Sequence, residues 1–124
     1  MFNDESRNLT MTSLAVGEWR TGEDVVYDNG LIVIGVPKGT LTDLASIPAA
    51  FRWLVSNDDR RIIRPAIVHD WLYMLQGKLP AMTLSRSHVD LLFYEMLRVE
   101  GMGWWKARMM WAAVRVGGSI AWNN

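Results

Sequence analysis

The chain of 124 residues has no cysteine, which excludes a disulfide framework and a thiolate zinc site together. Small secreted domains usually depend on such staples, so the absence favours an intracellular protein or one built into a larger assembly. A surplus of charge of either sign is also missing. Thirteen Lys and Arg cancel thirteen Asp and Glu, which leaves no global field for nucleic acid, and no nucleic-acid partner is expected. No apolar run approaches the roughly 20 residues that cross a bilayer, so no transmembrane segment is expected. The acidic start Met1-Phe2-Asn3-Asp4-Glu5 has neither the basic nor the apolar region of a signal peptide. Internal repeats, linkers and low-complexity segments are absent as well.

What is present is core-forming sequence. Half of the residues are apolar and 21% are charged, which is globular composition, and the length suits a single domain over 1–124. Seven tryptophans and eight methionines either fill a small core or lie in part on a surface that meets a partner. Charge is uneven along the chain: residues 1–30 carry two basic and six acidic groups, and residues 78–124 carry six basic and three acidic groups. The tilt suits a modest electropositive face on the C-terminal half.

The fold class expected is α+β: a small N-terminal antiparallel β-sheet, about 9–37, followed by a compact bundle of three to four helices, about 47–118. Val25-Val26-Tyr27 and Leu31 to Val36 flank Asn29-Gly30, the signature of a type I′ hairpin. Thr10 to Val16 reads as an earlier strand that Glu18 to Arg20 extends across Gly17, and Pro37-Lys38-Gly39 ends the sheet. Ile47 to Leu54 fits a short helix with Pro48 in its first turn, before a polar break at Asn57-Asp58-Asp59. Pro65 opens a helix to about Gln76 that Gly77 stops. Ser85 caps a helix over Arg86 to Glu100 that Gly101 ends, and a further helix runs from Gly103 to about Val116.

Three motifs place polar chemistry inside apolar segments: Thr42-Asp43-Leu44-Ala45-Ser46-Ile47-Pro48, His69-Asp70-Trp71-Leu72-Tyr73 and Asp90-Leu91-Leu92-Phe93. Carboxylates there must be paired, solvated in a cleft or bound to a metal. His69 and Tyr73 are four apart and share a helix face. His69 and Asp70 point roughly 100° apart, so they address two neighbouring sites. Asp90 lies at the edge of the stripe Val89, Leu92, Phe93, Met96 and Val99. Antiparallel packing of the two helices brings it to His69, where it fixes the tautomer and stabilises the imidazolium of a general base. Alternatively the cluster is structural, with Asp90 and Arg86 an ordinary i,i+4 ion pair. Asp43 beside Asp70, with a loop carbonyl and water, suits Ca²⁺ or Mg²⁺; the bland alternative is a local Asx or Ser turn. Ser46 lacks a nucleophile elbow. His69 and His88 match no compact zinc spacing, and His88 reads as the N3 residue of its helix.

Together the three motifs, with Ala113-Val114-Arg115, resemble a bacteriophage-encoded family of unknown function over about Trp19 to Trp122. The resemblance implies phage or prophage origin and a place in the host cytoplasm or the assembled virion. His69-Asp70-x-x-Tyr73 followed by Asp90-x-x-Phe93 is similar to secreted phospholipase A(2) enzymes. That likeness implies His69 as general base, Asp70 as cation ligand, and Asp90 and Tyr73 as supports. The disulfides and glycine-rich calcium loop of those enzymes are absent, so the Asp43 loop would supply the missing ligands. The expected function is a divalent-cation-assisted ester hydrolase of phospholipase type. The alternative is a non-enzymatic virion component, of tail or head, or a host-interaction protein.

Trp104, Arg108, Trp111 and Arg115 fall on one stripe of the last helix. They form either stacked Arg-over-Trp pairs within the molecule or a docking face for a phage structural protein, a host protein or an anionic lipid surface. An oligomer is compatible with such a face. Geometry separates the two functions. An enzyme needs His69 and at least two of Asp43, Asp70 and Asp90 converging on an open pocket, whereas a structural protein buries them in closed hydrogen bonds.

Overall fold

The structure, a computed structural model, describes residues 1–15, 18–42 and 60–123. The expected helix over 47–54, the Asn57-Asp58-Asp59 break, Asp43 and Ser46 lie outside the described residues.

The fold is α+β, with strands in the N-terminal half and helices after them. Strands β1 (Met11–Ala15), β2 (Glu18–Thr21) and β5 (Leu41–Thr42) form one antiparallel sheet in the order β1-β2-β5. Strands β3 (Val25–Asp28) and β4 (Val33–Val36) form a second, two-stranded sheet. The expected single sheet is therefore two. Glu18 to Arg20 does not extend β1 but pairs back on it, with Ala15 opposite Glu18. Nor does Pro37-Lys38-Gly39 end the β region. It forms a tight turn, with Gly39 at φ +84° and the Thr40 N–H on the Pro37 carbonyl, that feeds β5 onto β2.

The β3–β4 hairpin forms where expected but not with the expected turn. Asp28 pairs with Val33, so the loop has four residues, 29–32. A type I′ turn needs positive φ at both central residues, and of Asn29 and Gly30 only Gly30 has it. The Asn29 side-chain oxygen Oδ1 instead accepts from the N–H groups of Leu31 and Ile32, an Asx arrangement that holds the wider loop. Strand alternation puts Val25, Tyr27, Ile34 and Val36 inside, each at most 1% exposed, while Val33 is 62% exposed. The chain start lies along β3: Phe2 bridges Tyr27, and Asn3 exchanges hydrogen bonds with Val26.

Helices α1 (Ile63–Met74), α2 (Arg86–Val99) and α3 (Trp104–Gly117) follow, with a short α4 (Ser119–Asn123) that sequence reading misses. Helix α1 is the centre, packed on β3, β4, β5, α2 and α4. One core joins the hairpin to α1 and α2 through residues such as Ile67, Leu72, Val89 and Met96; a second joins α2 to α3 through Phe93, Leu97, Met102 and Met110. Each fully buried side chain of this kind contributes about 1.5–3 kcal/mol.

The helix ends follow local rules. The Ser85 hydroxyl accepts the His88 N–H at 3.1 Å, so Ser85 is the N-cap and His88 is N3. Helix α2 stops at Gly101, φ +96°, with the Gly101 and Met102 N–H groups on the Arg98 and Leu97 carbonyls, a Schellman closure. Helix α1 closes in the same pattern, but Gln76 at φ +50° takes the left-handed position, one residue before the expected Gly77. The Gln76 side chain recovers part of that strain by donating to the Trp122 carbonyl at 2.7 Å, which ties α4 down.

Candidate functional site

Three helices contribute to one carboxylate. His69 and Tyr73 come from adjacent turns of one face of α1, Asp90 from the first half of α2, and Arg115 from the last turn of α3. Asp90 Oδ1 lies 2.8 Å from His69 Nε2 and accepts the Tyr73 hydroxyl at 2.6 Å. Asp90 Oδ2 accepts Arg115 Nη1 at 2.9 Å, and Arg86, one turn earlier, lies 3.8 Å from the same oxygen. Asp90 is not at the edge of its stripe, as expected, but wholly buried, at 0% exposure. Arg86 pairs with it more distantly than Arg115 does, and its guanidinium also donates to the Arg115 carbonyl at 3.4 Å. The i,i+4 contact is thus the outer part of a larger cluster.

Burial alone would push the Asp90 carboxyl pKa up. The hydrogen bonds from His69 and Tyr73, the imidazole charge and the bond from Arg115 outweigh it, and the net shift is below the ordinary 3.8. An ionised carboxylate only accepts, so His69 Nε2 must donate. Neutral His69 is then the Nε2–H tautomer, with its lone pair on Nδ1. The Tyr73 phenol is pushed well above its usual range, first by burial and then by Asp90. It stays protonated and serves as a fixed donor.

The imidazole is 4% exposed and lies between two rings, with centroids 4.3 Å away for Tyr73 and 4.8 Å for Phe93. Trp122 of α4 meets Tyr73 edge-on at 5.1 Å. Gly118, between α3 and α4, comes so close that a Cβ there would lie 2.5 Å from the Tyr73 hydroxyl oxygen. Gly118 and Trp122 thus hold Tyr73 on Asp90. Nothing local in the sequence signals this role of Gly118.

Asp70 points away from this cluster, toward the sheet, where it is half-buried and accepts the Thr42 hydroxyl. The two sites expected of adjacent His and Asp are therefore an α1–α2–α3 site and an α1–β5 site. Asp43, the second expected cation ligand, lies outside the described residues. Among the described residues no three His, Cys, Asp or Glu side chains gather in a metal-holding group.

The last-helix stripe needs correction. Among the described residues no arginine stacks on a tryptophan; the cation–π contacts are Arg64 over Phe2 at 4.7 Å and Lys106 near Trp105 at 6.0 Å. Arg115 turns instead to Asp90, because a buried carboxylate offers a guanidinium far more than an indole face does. Trp111 Nε1 is buried without a hydrogen-bond partner, while Trp104 and Trp105 are 62% and 48% exposed. No described helix is long and apolar enough to cross a membrane.

No curated protein and no solved structure matches the chain. Residues 19–114, well over half of the chain and all of the Asp90 cluster except Arg115, match the family described as protein of unknown function (DUF1353), and the chain belongs to that family.

Proposed function

We propose that the protein is a phage-encoded hydrolase of ester-like substrates, acting as a single domain, with His69 as general base. The observation that carries this reading is the meeting of His69 Nε2 and the Tyr73 hydroxyl on one oxygen of Asp90. With Nε2–H committed to Asp90, Nδ1 takes a proton from water as the water oxygen attacks the ester carbonyl carbon. The imidazolium forms against the Asp90 carboxylate. The tetrahedral adduct then expels the alkoxide, which takes the proton from Nδ1, and an acid and an alcohol leave. A divalent cation, Ca²⁺ or Mg²⁺, on Asp70 and Asp43 belongs to the same proposal. The described residues alone do not supply a cation's ligand set, so no step is written through it. Phage origin rests on the motif resemblance.

A second reading is favoured by a specific observation. His69 is 4% exposed and both Asp90 oxygens are taken, one of them by Arg115, which draws carboxylate charge away from an imidazolium. Here the cluster braces three helices of a virion component or host-interaction protein. Its partner would be a phage structural protein, a host protein or a lipid surface, met by exposed aromatics such as Trp104 and Trp105.

Paired measurements on wild type and His69→Gln separate the two. The hydrolase reading expects turnover on a panel of phospholipid and small esters, and a fall of about 10²–10⁴-fold in His69→Gln with the fold retained. Wild-type inactivity across the panel, with and without Ca²⁺, Mg²⁺ and Mn²⁺, together with a destabilised His69→Gln, would overturn it in favour of the brace.

A further inference from the structure

Helix α3 rests on the protein along one face. Ala107, Met110, Ala113 and Val114 are buried, with α2 and α4 as the neighbouring helices. At about 100° per residue, the opposite arc carries Trp104, Trp105, Arg108, Met109, Ala112 and Val116. Trp104, Trp105, Met109 and Val116 are exposed, Val116 at 80%. They run the length of the helix, roughly 20 Å at 1.5 Å per residue. Exposed apolar surface this continuous marks a place that meets a partner.

The charge of the same helix is of one sign. It carries Lys106, Arg108 and Arg115 and no acidic residue. Arg115 turns inward to Asp90, and Lys106 lies 6.0 Å from the Trp105 ring. Arg108 is exposed in the middle of the apolar arc and, among the described residues, makes no hydrogen bond or ion pair. Glu100, the carboxylate that precedes α3 in the sequence, is held by Arg64 in a two-point fork, Nε at 2.8 Å and Nη2 at 2.5 Å.

These features choose among occupants. A second copy, docked through the same face by two-fold symmetry, would set Arg108 and Lys106 against their own kind with no carboxylate on either helix. A protein partner would have to bury a carboxylate opposite Arg108 in an apolar contact, at a desolvation cost that cancels much of the attraction. Nucleic acid offers phosphates but leaves Met109 and Val116 without an apolar partner. An anionic bilayer surface takes both kinds of group. Tryptophan settles at the headgroup level and apolar side chains enter the acyl boundary. Arginine and lysine stems lie along apolar surface with their heads on lipid phosphate.

We propose that the outward face of α3 docks the protein on an anionic lipid bilayer, with Trp104, Trp105, Met109 and Val116 at the headgroup–acyl boundary and Arg108 and Lys106 on lipid phosphates. The proposal rests on the second reading above only for the expectation of a partner at this surface, and commits that partner to lipid. It uses no residue of the Asp90 cluster.

The test is co-sedimentation of the full chain with vesicles of phosphatidylglycerol in phosphatidylcholine, against vesicles of phosphatidylcholine alone. Wild type is expected to bind the anionic vesicles about tenfold more tightly or better, and to lose affinity as salt is raised. Arg108→Gln should weaken binding about fivefold, the scale of one cation near such a surface. Trp104→Ser combined with Trp105→Ser should weaken it about tenfold or more. The pair should also remove the quenching of tryptophan fluorescence by lipid brominated in its upper acyl chain. Lys38→Gln, an exposed charge on the turn before β5, should leave binding unchanged. Thermal melts check each variant, and quenching of the wild type by brominated lipid holds as a test even if a variant fails to fold. No binding of wild type to anionic vesicles would overturn the proposal, as would equal binding to neutral ones or equal weakening by Lys38→Gln. Self-association that the tryptophan substitutions abolish, without vesicle binding, would assign the face to a second copy instead. Neither turnover nor His69→Gln enters these measurements, so the brace is judged separately: failure to bind lipid leaves it standing, and a hydrolytic wild type leaves the lipid surface standing.

Discussion

Asp90→Ala is expected to destabilise the protein by about 3 kcal/mol, at the lower end of the 3–5 kcal/mol typical when one member of a buried charged pair is deleted. The loss lies at the lower end because Arg115 is 31% exposed at its side chain and can turn to water. His69 and Tyr73 cannot; both are buried, and each loses its acceptor. For a chain of this size the loss lowers Tm by about 10 °C, and urea unfolding with thermal melts measures it. Stability should also carry an acid signature. The folded pKa of Asp90 is depressed, so its contribution is fully present above the ordinary carboxylate range and is lost as pH falls through the folded value. Asp90→Ala should therefore differ from wild type most near neutral pH and least in strong acid. A loss under about 1 kcal/mol, or a difference that grows on acidification, would show that Asp90 does not join the helices.

Gly77→Ala should be damaging for a different reason. Gly77 has φ +73°, and a Cβ there would lie 2.0 Å from the Leu84 carbonyl oxygen. That oxygen belongs to backbone, and the Gly77 carbonyl in turn accepts the Leu84 N–H at 2.8 Å, so no side chain can swing aside. Left-handed strain of about 1–3 kcal/mol adds to displacement of the loop that carries Leu84 and Ser85 into α2. We expect a total loss of about 2–4 kcal/mol in denaturant unfolding. Gly30→Ala, also at positive φ but with nothing within 4 Å, should show the strain without the clash and lose distinctly less. Equal losses in the two variants would show that the close approach carries no weight.

The parts of this architecture legible in the sequence are those written in local chemistry. Ser85, Gly101 and the Pro65 helix are signalled by caps and breakers whose effect is complete within one turn. The alternation of Val25, Tyr27, Ile34 and Val36 fixes the buried face of the hairpin. The meeting of His69 with Asp90 is legible from the polar positions of two apolar helix stripes that pack together. What could not be read depends on tertiary contact. The Asn29-Gly30 pair suggests a two-residue turn, but Asn29's own side chain stabilises a wider loop. Arg115 is read as a partner for tryptophan because its neighbours in the stripe are tryptophans, whereas the carboxylate it reaches is 25 residues away in sequence. Gln76 takes a conformation that favours glycine because α4, not its own helix, supplies the compensation. The Arg64–Glu100 fork joins positions 36 residues apart, and no local pattern marks either one.

Asp90 is the ionised acceptor that fixes the imidazole of His69. The most direct measurement is the side-chain ¹⁵N spectrum of His69 in ¹⁵N-histidine-labelled protein, at a pH where the ring is neutral, with His69→Gln to assign the signals. The expected result is a protonated Nε2 and a bare Nδ1, with the preference relaxed in Asp90→Ala. A neutral ring protonated at Nδ1, or a fast mixture of both tautomers in wild type, would contradict it.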